Sequence, residues 1–466
     1  MSIEFNKVFI GMINNQLLIQ KTLLFSIKRI IKWSIILALL HIGIDDTDSK
    51  EGMCTTYVGA VAIDRLKAPG IKLKGYPKLI RLNPNWKLKT RGNCAIAFTT
   101  KIQKHQIPVV KEIILRTVEE LAELHIETTN PGVVFYESEK VPTKLRKFSK
   151  KVVQDIATID EAEALAMEIG AEVHKFKLGR GIIGALAAIG NTLERDWTFE
   201  LIAYRTPENR GTPRKVDAAS VVRMNDQTFP KTFDNLDPFT GEIRITPHTP
   251  CPIFYGIRGE NAKTTLKSHK LVKASEPIER LIIYKTNQGT DEHLRRAKVA
   301  EVKPYWSVIV KGEVSSAPKI IPGGHVIFSM RDKTGEIDCA AYEPTRQFRD
   351  VAKKLMVGDK IVAHGGVKEK PELPLTINLE KLSILKLVPV LQKVNPTCPR
   401  CGKRMKSEGK GKGYSCKRCK VKVPVSAAKI VEMRREIGVG AFEVPPRARR
   451  HLARPLVRVA YPRREY

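Results

Sequence analysis

The stretch His41-Ile-Gly-Ile-Asp-Asp-Thr-Asp-Ser-Lys-Glu-Gly-Met-Cys-Thr-Thr-Tyr57 reads as strand, turn and the start of a helix. Its apolar opening suits a buried strand, and the Asp, Ser and Gly residues that follow suit a turn. Three carboxylates, Asp45, Asp46 and Asp48, leave that strand within four positions. Carboxylates so close repel one another unless a cation lies among them, and Mg²⁺ takes such oxygens together with phosphate oxygens. The hydroxyls of Thr47, Ser49, Thr55 and Thr56 and the backbone of Gly52 offer phosphate contacts, and the N-terminus of the following helix favours anions. A solvated acidic turn with an N-cap aspartate has the same composition, so the motif alone leaves both readings open.

Upstream, Leu17–Leu40 is apolar but broken by Lys21, Lys28, Arg29 and Lys32. The longest nearly uncharged run, Trp33–Ile44, falls short of the roughly 18–20 residues that cross a bilayer. No small-residue cleavage site follows it, which argues against a secretory signal. An amphipathic surface helix is one reading of this segment. The preferred one makes His41–Ile44 the first strand and residues 1–40 an extension, or a start placed too far upstream. No membrane association is expected.

Downstream, Arg81–Asn93 follows a candidate strand and presents Lys87, Lys89, Arg91 and Asn93 ahead of the strand Cys94–Phe98. Basic side chains beside a glycine suit phosphate binding, as an ordinary exposed loop also would. Glu127–Gly132 is a polar turn before the strand Val133–Tyr136. Leu178–Gly190 resembles a glycine-rich loop entering an apolar helix. Gly179, Gly181 and Gly184 match Gly-x-Gly-x-x-Gly, but no clear buried strand precedes them and the Lys-Ser/Thr of a Walker loop is missing.

In this order, Ile42–Tyr57, Lys89–Asn93, Gly184–Gly190 and Gly256-Ile-Arg-Gly-Glu260 resemble the archaeal tRNA(Ile) 2-agmatinylcytidine synthetases. The resemblance runs from about His41 to Cys419; Met1–Leu40 has no counterpart in it. It implies an enzyme that uses ATP and agmatine to modify the wobble cytidine of the isoleucine tRNA bearing a CAU anticodon, so that the tRNA reads AUA instead of AUG. A kinase-like domain would phosphorylate the oxygen at carbon 2 of that cytidine, and the agmatine amine would displace the phosphate, ATP ending as AMP and two phosphates. Carried over by motif, Asp45, Asp46 and Asp48 hold Mg²⁺ and Thr55 is the autophosphorylated threonine. Thr47, Ser49, Lys89, Arg91, Asn93, Gly181 and Gly184 surround the ATP phosphates. The enzyme is expected in the cytoplasm with no obligate protein partner. Two other readings are a non-catalytic RNA-binding protein and an ATP-dependent ligase for another amine or RNA.

The middle of the chain alternates short strands and turns, with Ser220–Met224, Gly241–Ile245 and Ile253–Ile257 as candidate strands. The family places a ferredoxin-like domain here. Further on, Trp306–Val314, His325–Arg331, Glu336–Tyr342, Lys360–Val367 and Leu375–Leu379 are β-rich, and the helix-like Phe348–Leu355 separates the third from the fourth. Five strands with a helix after the third is the order of an OB barrel, an architecture that binds single strands.

Eight cysteines divide into four single ones and two pairs, Cys398-Pro-Arg-Cys401 and Cys416-Lys-Arg-Cys419. Two C-x₂-C turns joined by a hairpin aim four thiolates at one tetrahedral Zn²⁺, a structural site without an open position. The remaining cysteines fit a reducing interior. The 466 residues carry 81 Lys and Arg against 49 Asp and Glu, a formal charge of +32 that points to a polyanionic partner. From Asn395 to Tyr466 alone, twenty basic residues face five acidic ones, a net +15. Arg404, Lys406, Lys417 and Arg418 on the ribbon and Arg447, Arg449, Arg450 and Arg454 in the tail are the expected tRNA contacts.

The expected fold is therefore α+β and multidomain: a kinase-like catalytic α/β domain over 41–214, a ferredoxin-like domain over 215–281, an OB-fold β-barrel over 282–390 and a zinc ribbon over 395–424. A basic tail over 425–466 completes it.

Overall fold

The computed structural model describes residues 37–368 and 374–460. The expectation for residues 1–36 lies outside them. The described chain forms two compact units. One comprises the residues up to Arg295, Tyr305–Ser307 and the segment from Pro446; the other comprises Arg296–Pro304 and Val308–Pro445.

The first unit begins with β1 (Leu37–Asp45), α1 (Thr55–Arg65), β2 (Lys78–Arg81), β3 (Cys94–Gln103), α2 (Ile107–Leu121) and β4 (Gly132–Glu137). It continues through α3 (Thr143–Gln154), α4 (Ile159–Ile169), β5 (Glu172–Lys175) and α5 (Ile182–Gly190). The strands lie in the order β5-β4-β1-β3-β2, each antiparallel to its neighbours. Alternate residues of β3 serve opposite faces: Ile96 and Phe98 pack with α1 and α2, while Ala95 and Ala97 pack with α3, α4 and α5. Nearly every residue of α5 is buried, as its uniformly apolar sequence requires. The central strand β1 starts at Leu37, four residues before the expected start, because Ala38, Leu39 and Leu40 are buried and pair with Ile102, Lys101 and Thr100.

A second half follows: β6 (Thr198–Arg205), α6 (Ala218–Thr228), β7 (Thr232–Phe233), β8 (Ile253–Gly259), α7 (Ala262–Leu271) and β9 (Ile278–Thr286). This is a βαββαβ unit with strand order β9-β6-β8-β7, the ferredoxin-like arrangement. A two-residue parallel pairing of β2 with β9, Lys78 with Lys285 and Leu79 with Thr286, makes the two halves one nine-stranded sheet. Three expectations change. Thr198–Arg205 opens the ferredoxin-like half instead of closing the kinase-like one, because both its edges pair inside that half. Ser220–Met224 is helical: Asp217 caps it by accepting from the Ala219 N–H at 2.9 Å, and Val221, Met224 and Thr228 bury one helical stripe. Gly241–Ile245 contributes only an isolated bridge between Leu236 and Ile243.

In the second unit, β10 (Ser307–Val314), β11 (His325–Arg331), β12 (Glu336–Ala341), α8 (Gln347–Lys353), β13 (Lys360–Lys368) and β14 (Thr376–Lys386) form an OB barrel. The ring runs β10-β13-β14-β12-β11 and closes through pairing of β11 with β10; β12 and β14 are parallel. Val308, Val310, Phe328, Met330, Ile361 and Leu382 fill it. The expected start at residue 282 falls within β9 of the other unit, where strand pairing with β6 claims Ile278–Thr286. Residues 395–424 form the ribbon, with short antiparallel strands at Lys406–Ser407, Tyr414–Ser415 and Lys422–Val423. The expected tail is not a tail. Lys429–Met433 pairs with Val390–Val394, Gly440–Glu443 pairs with β14, and residues 446–460 belong to the first unit.

Candidate functional site

The acidic turn leaves the end of β1 at Asp45 and reaches α1 at Thr55. Asp46 sits at φ 59°, in the left-handed region that aspartate tolerates better than most side chains. Arg180 holds it with two nitrogens, Nε to Oδ2 at 3.1 Å and Nη2 to Oδ1 at 3.0 Å. Asp48 pairs with Arg91 at 3.3 Å. Asp45 has no ion pair of its own among the described residues.

All three carboxyls are pushed up. Burial, then the neighbouring charge of Asp46, raises Asp45 well above the usual carboxylate range. Burial outweighs Arg180 at Asp46 and brings it to about 7. Asp48 rises for the same reason against the opposing Arg91.

Arg91 does more than pair. Its Nη1 donates to the carbonyls of Ser49 at 2.6 Å and Gly52 at 2.9 Å, and its Nη2 to that of Met53. It therefore fixes the path of the turn. Thr47 Oγ1 donates to Thr55 Oγ1 at 3.2 Å, and both hydroxyls are buried. Ser49 donates to Glu123 and accepts the N–H groups of Glu51 and Gly52. Lys89 donates to the Pro84 carbonyl, and Asn93 to that of Asn83 at 2.7 Å, so both lie within the 82–93 loop.

The glycines at the start of α5 have a steric role. A Cβ on Gly181 would lie 2.4 Å from the Asp45 carbonyl oxygen, and one on Gly184 would lie 1.9 Å from Asp45 Oδ2. The helix N-terminus thus comes against Asp45 only because these positions lack side chains. The structure brings Asp45, Asp46, Asp48, Thr47, Ser49, Thr55, Arg91, Gly181 and Gly184 together. Sequence reading missed Arg180 and Glu123. Arg180 carries a signal, a lone cation between two glycines; Glu123 carries none.

Among the described residues, one group offers three or more metal-ligating atoms within 4.8 Å of one another: Cys398, Cys401, Cys416 and Cys419. The four thiols fit zinc in number and chemistry. Cys401→Ser is expected to release the metal and unfold the ribbon, read as zinc content by atomic absorption; an unchanged one-to-one content refutes the site. Asp45, Asp46 and Asp48 do not form such a set; Asp46 and Asp48 are instead paired with Arg180 and Arg91.

Arg404, Lys406, Lys417 and Arg418 are exposed on the ribbon. The other expected RNA contacts lie elsewhere, in partnerships inside the first unit. Arg447 pairs with Glu242 at 3.3 Å, Arg449 with Asp234 at 3.0 Å and Arg454 with Asp196 at 3.4 Å, while Arg450 donates to Asn85. Among the described residues no helix is long and apolar enough to cross a membrane.

Comparison with known proteins finds four family domains along the chain. Residues 41–178 match the TiaS TCKD domain, 179–293 the TiaS FLD domain, 308–385 the OB-fold nucleic acid binding domain and 395–437 the TiaS C-terminal zinc ribbon domain. The chain is 48% identical to the isoleucine-tRNA 2-agmatinylcytidine synthetase TiaS of Pyrococcus horikoshii, over 90% of this chain and 97% of that one. It is 45% identical to the Methanocaldococcus jannaschii protein of the same name, over 90% and 99%. A crystal structure of TiaS in complex with its isoleucine tRNA and ATP superposes with a TM-score of 0.80 at 41% identity, covering 90% of this chain and 97% of that one. A complex of TiaS with the same tRNA, AMPCPP and agmatine superposes at 0.78 and 39% identity, covering 92% and 99%. Fold and site define a multidomain tRNA-modifying enzyme. The chain belongs to the tRNA(Ile) 2-agmatinylcytidine synthetase family, TiaS.

Proposed function

We propose that this enzyme joins agmatine to carbon 2 of the wobble cytidine in the CAU anticodon of isoleucine tRNA, using ATP at the acidic turn. The observation that carries this reading is that the family's four parts fall on this chain in order, with the buried carboxylates at the end of β1. The product tRNA reads AUA instead of AUG.

The chemistry follows from the leaving group. A cytosine carbonyl oxygen leaves poorly; once phosphorylated it departs as phosphate while the agmatine nitrogen forms its bond to carbon 2. Charge developing on the transferred group needs fixed positive partners, and catalysis of such steps is mostly positioning and electrostatics. Asp45 is the carboxylate we assign as the Mg²⁺ anchor, since it is crowded by like charge and forms no ion pair among the described residues. A bound Mg²⁺ would neutralise phosphate oxygens there. Asp46 and Asp48 complete the acidic wall, held in place by Arg180 and Arg91. Thr55, bonded to Thr47 at the first turn of α1, is the residue we assign to autophosphorylation. Lys89 and Asn93 shape the neighbouring loop.

Zinc is structural in this scheme, and the exposed ribbon cations contact the tRNA backbone. The enzyme acts in the cytoplasm, where its tRNA is charged and used. Mass spectrometry of the tRNA transcript after incubation with ATP and agmatine, putrescine or spermidine tests the reading. Adduct with agmatine alone, with matching ATP loss, is expected; preference for another amine, or adduct without ATP loss, overturns it.

A further inference from the structure

We propose that Pro446–Arg458 is a positioning strap for catalysis: it clamps the 82–93 loop, and that loop, through Arg91, keeps the acidic turn in its working shape. The inference rests on reading the acidic turn as the ATP site and extends it to a segment that composition presents as a basic tail.

The strap is anchored along its length. Arg458, 1% exposed, meets Asp196 at 3.0 Å and Glu260 at 3.0 Å, donates to the Gly289 carbonyl and lies 5.7 Å from the centre of the Phe233 ring. The loop after β9 receives the strap backbone. Gly289 N donates to the His451 carbonyl at 2.8 Å, Asp291 N to the Leu452 carbonyl at 2.8 Å, and Arg454 N to Asp291 Oδ1 at 2.7 Å. Leu452 is buried in the core that α3 and α5 share.

The working contact is in the middle. Arg258 Nη2 donates to His451 Nδ1 at 3.2 Å, which fixes the proton of the imidazole on Nε2. The same ring faces Gly92, where a Cβ would come 3.3 Å from it. Arg450 donates to Asn85, and Asn85 in turn donates to the carbonyls of Tyr305 and Trp306 at 3.2 and 2.9 Å. The strap thus bonds the 82–93 loop at Asn85, and its His451 ring, with Arg81, occupies the space beside Gly92. Arg91, the neighbour of Gly92, holds Asp48 and three carbonyls of the turn. Strap, loop and carboxylates are linked through the Arg450–Asn85 bond and through Arg91 in the same loop.

The motif Gly256-Ile-Arg-Gly-Glu260 gains a purpose here. A side chain at Gly256 would meet Glu200 at 2.9 Å; Glu200 pairs with Arg258 at 3.5 Å, Arg258 donates to His451, and Glu260 accepts from Arg458. The motif is the strap's receptor. An RNA-binding role for the same arginines would need them to leave Asp196, Asp234 and Glu260, stranding carboxylates that have little access to water.

The test uses the full-length, zinc-loaded enzyme with Arg458→Ala, Arg458→Lys and His451→Ala, each checked for zinc content and thermal unfolding. Arg458→Ala removes the anchor; His451→Ala removes the middle contact and leaves the anchor. A small misplacement near the chemistry costs about ten- to a hundredfold. A fall of that size in ATP consumption is expected for His451→Ala and Arg458→Ala, carried by kcat and the KM for ATP, with tRNA affinity within about twofold and partial recovery in Arg458→Lys. Wild-type ATP kinetics in a folded His451→Ala or Arg458→Ala enzyme overturns the strap. So does a loss confined to tRNA affinity with a shallower salt dependence, which would make the segment an RNA contact. Asp45→Ala, run alongside, separates the two readings: if it too retains ATP consumption, the ATP site lies elsewhere.

Discussion

Asp45→Ala lowers ATP consumption by at least about a hundred- to a thousandfold while leaving tRNA affinity within about twofold. The expectation comes from what surrounds the carboxylate. Asp45 is crowded by protein and feels Asp46 and Asp48; Arg180 lowers its pKa only in part, and among the described residues it forms no ion pair of its own, whereas Asp46 and Asp48 each do. A group in that state does not stabilise the fold by being charged. Its folded pKa is raised, so whatever it contributes to stability is present below the unfolded value near 4 and fades as pH rises through the folded one. At neutral pH the protein therefore bears a cost at Asp45, and removing the charge is expected to leave the melting temperature unchanged or to raise it. Activity lost with stability kept is the signature of a group retained for function. Asp45→Asn sharpens the test because it keeps the shape. Kinetics of ATP hydrolysis with tRNA and agmatine, beside a melting curve, decide it; near-normal turnover in either variant refutes the role.

Gly184→Ala is expected to lower the same rate by about tenfold or more although it removes no functional atom. The added methyl would stand 1.9 Å from Asp45 Oδ2, 2.7 Å from its Cγ and 2.9 Å from Leu82 Cδ1. Aspartate is too short to swing clear cheaply. Either the carboxylate turns out of place or α5 backs away from β1, and overpacking of this kind costs about 1–3 kcal/mol. Both routes displace Asp45. A Gly184→Ala enzyme with a wild-type KM for ATP and wild-type kcat would show that the Asp45–α5 approach is incidental.

Much of this was legible in the chain. The OB barrel was legible from five β-rich runs with a helix between the third and fourth, an order that the family resemblance narrows to this fold. The ribbon was legible because thiolates at C-x₂-C spacing have few other uses. What stayed hidden was pairing between distant segments. Nothing in Thr198–Arg205 says that its partners are β8 and β9, so the domain boundary fell after it when it belongs before. The run Ser220–Met224 is too short for its periodicity to separate strand from helix. At the site, the carboxylates announced themselves, but Arg180 lies 134 residues from the Asp46 it holds. Arg449, Arg450 and Arg454 read as tRNA contacts in a basic tail for the same reason: their partners Asp234, Asn85 and Asp196 are remote in sequence.

The return of residues 446–460 to the first unit also bears on the order in which the protein is made. Leu452 and Arg458 reach their places only after the barrel and ribbon have been synthesised, since those modules precede them in the chain. Until then Asp196 and Glu260 await their guanidinium, and the core around α5 lacks Leu452. On the ribosome, therefore, the first unit is begun first and finished last. A nascent chain that has reached only the ribbon still lacks the segment that fills the core around α5 and pairs with Asp196 and Glu260.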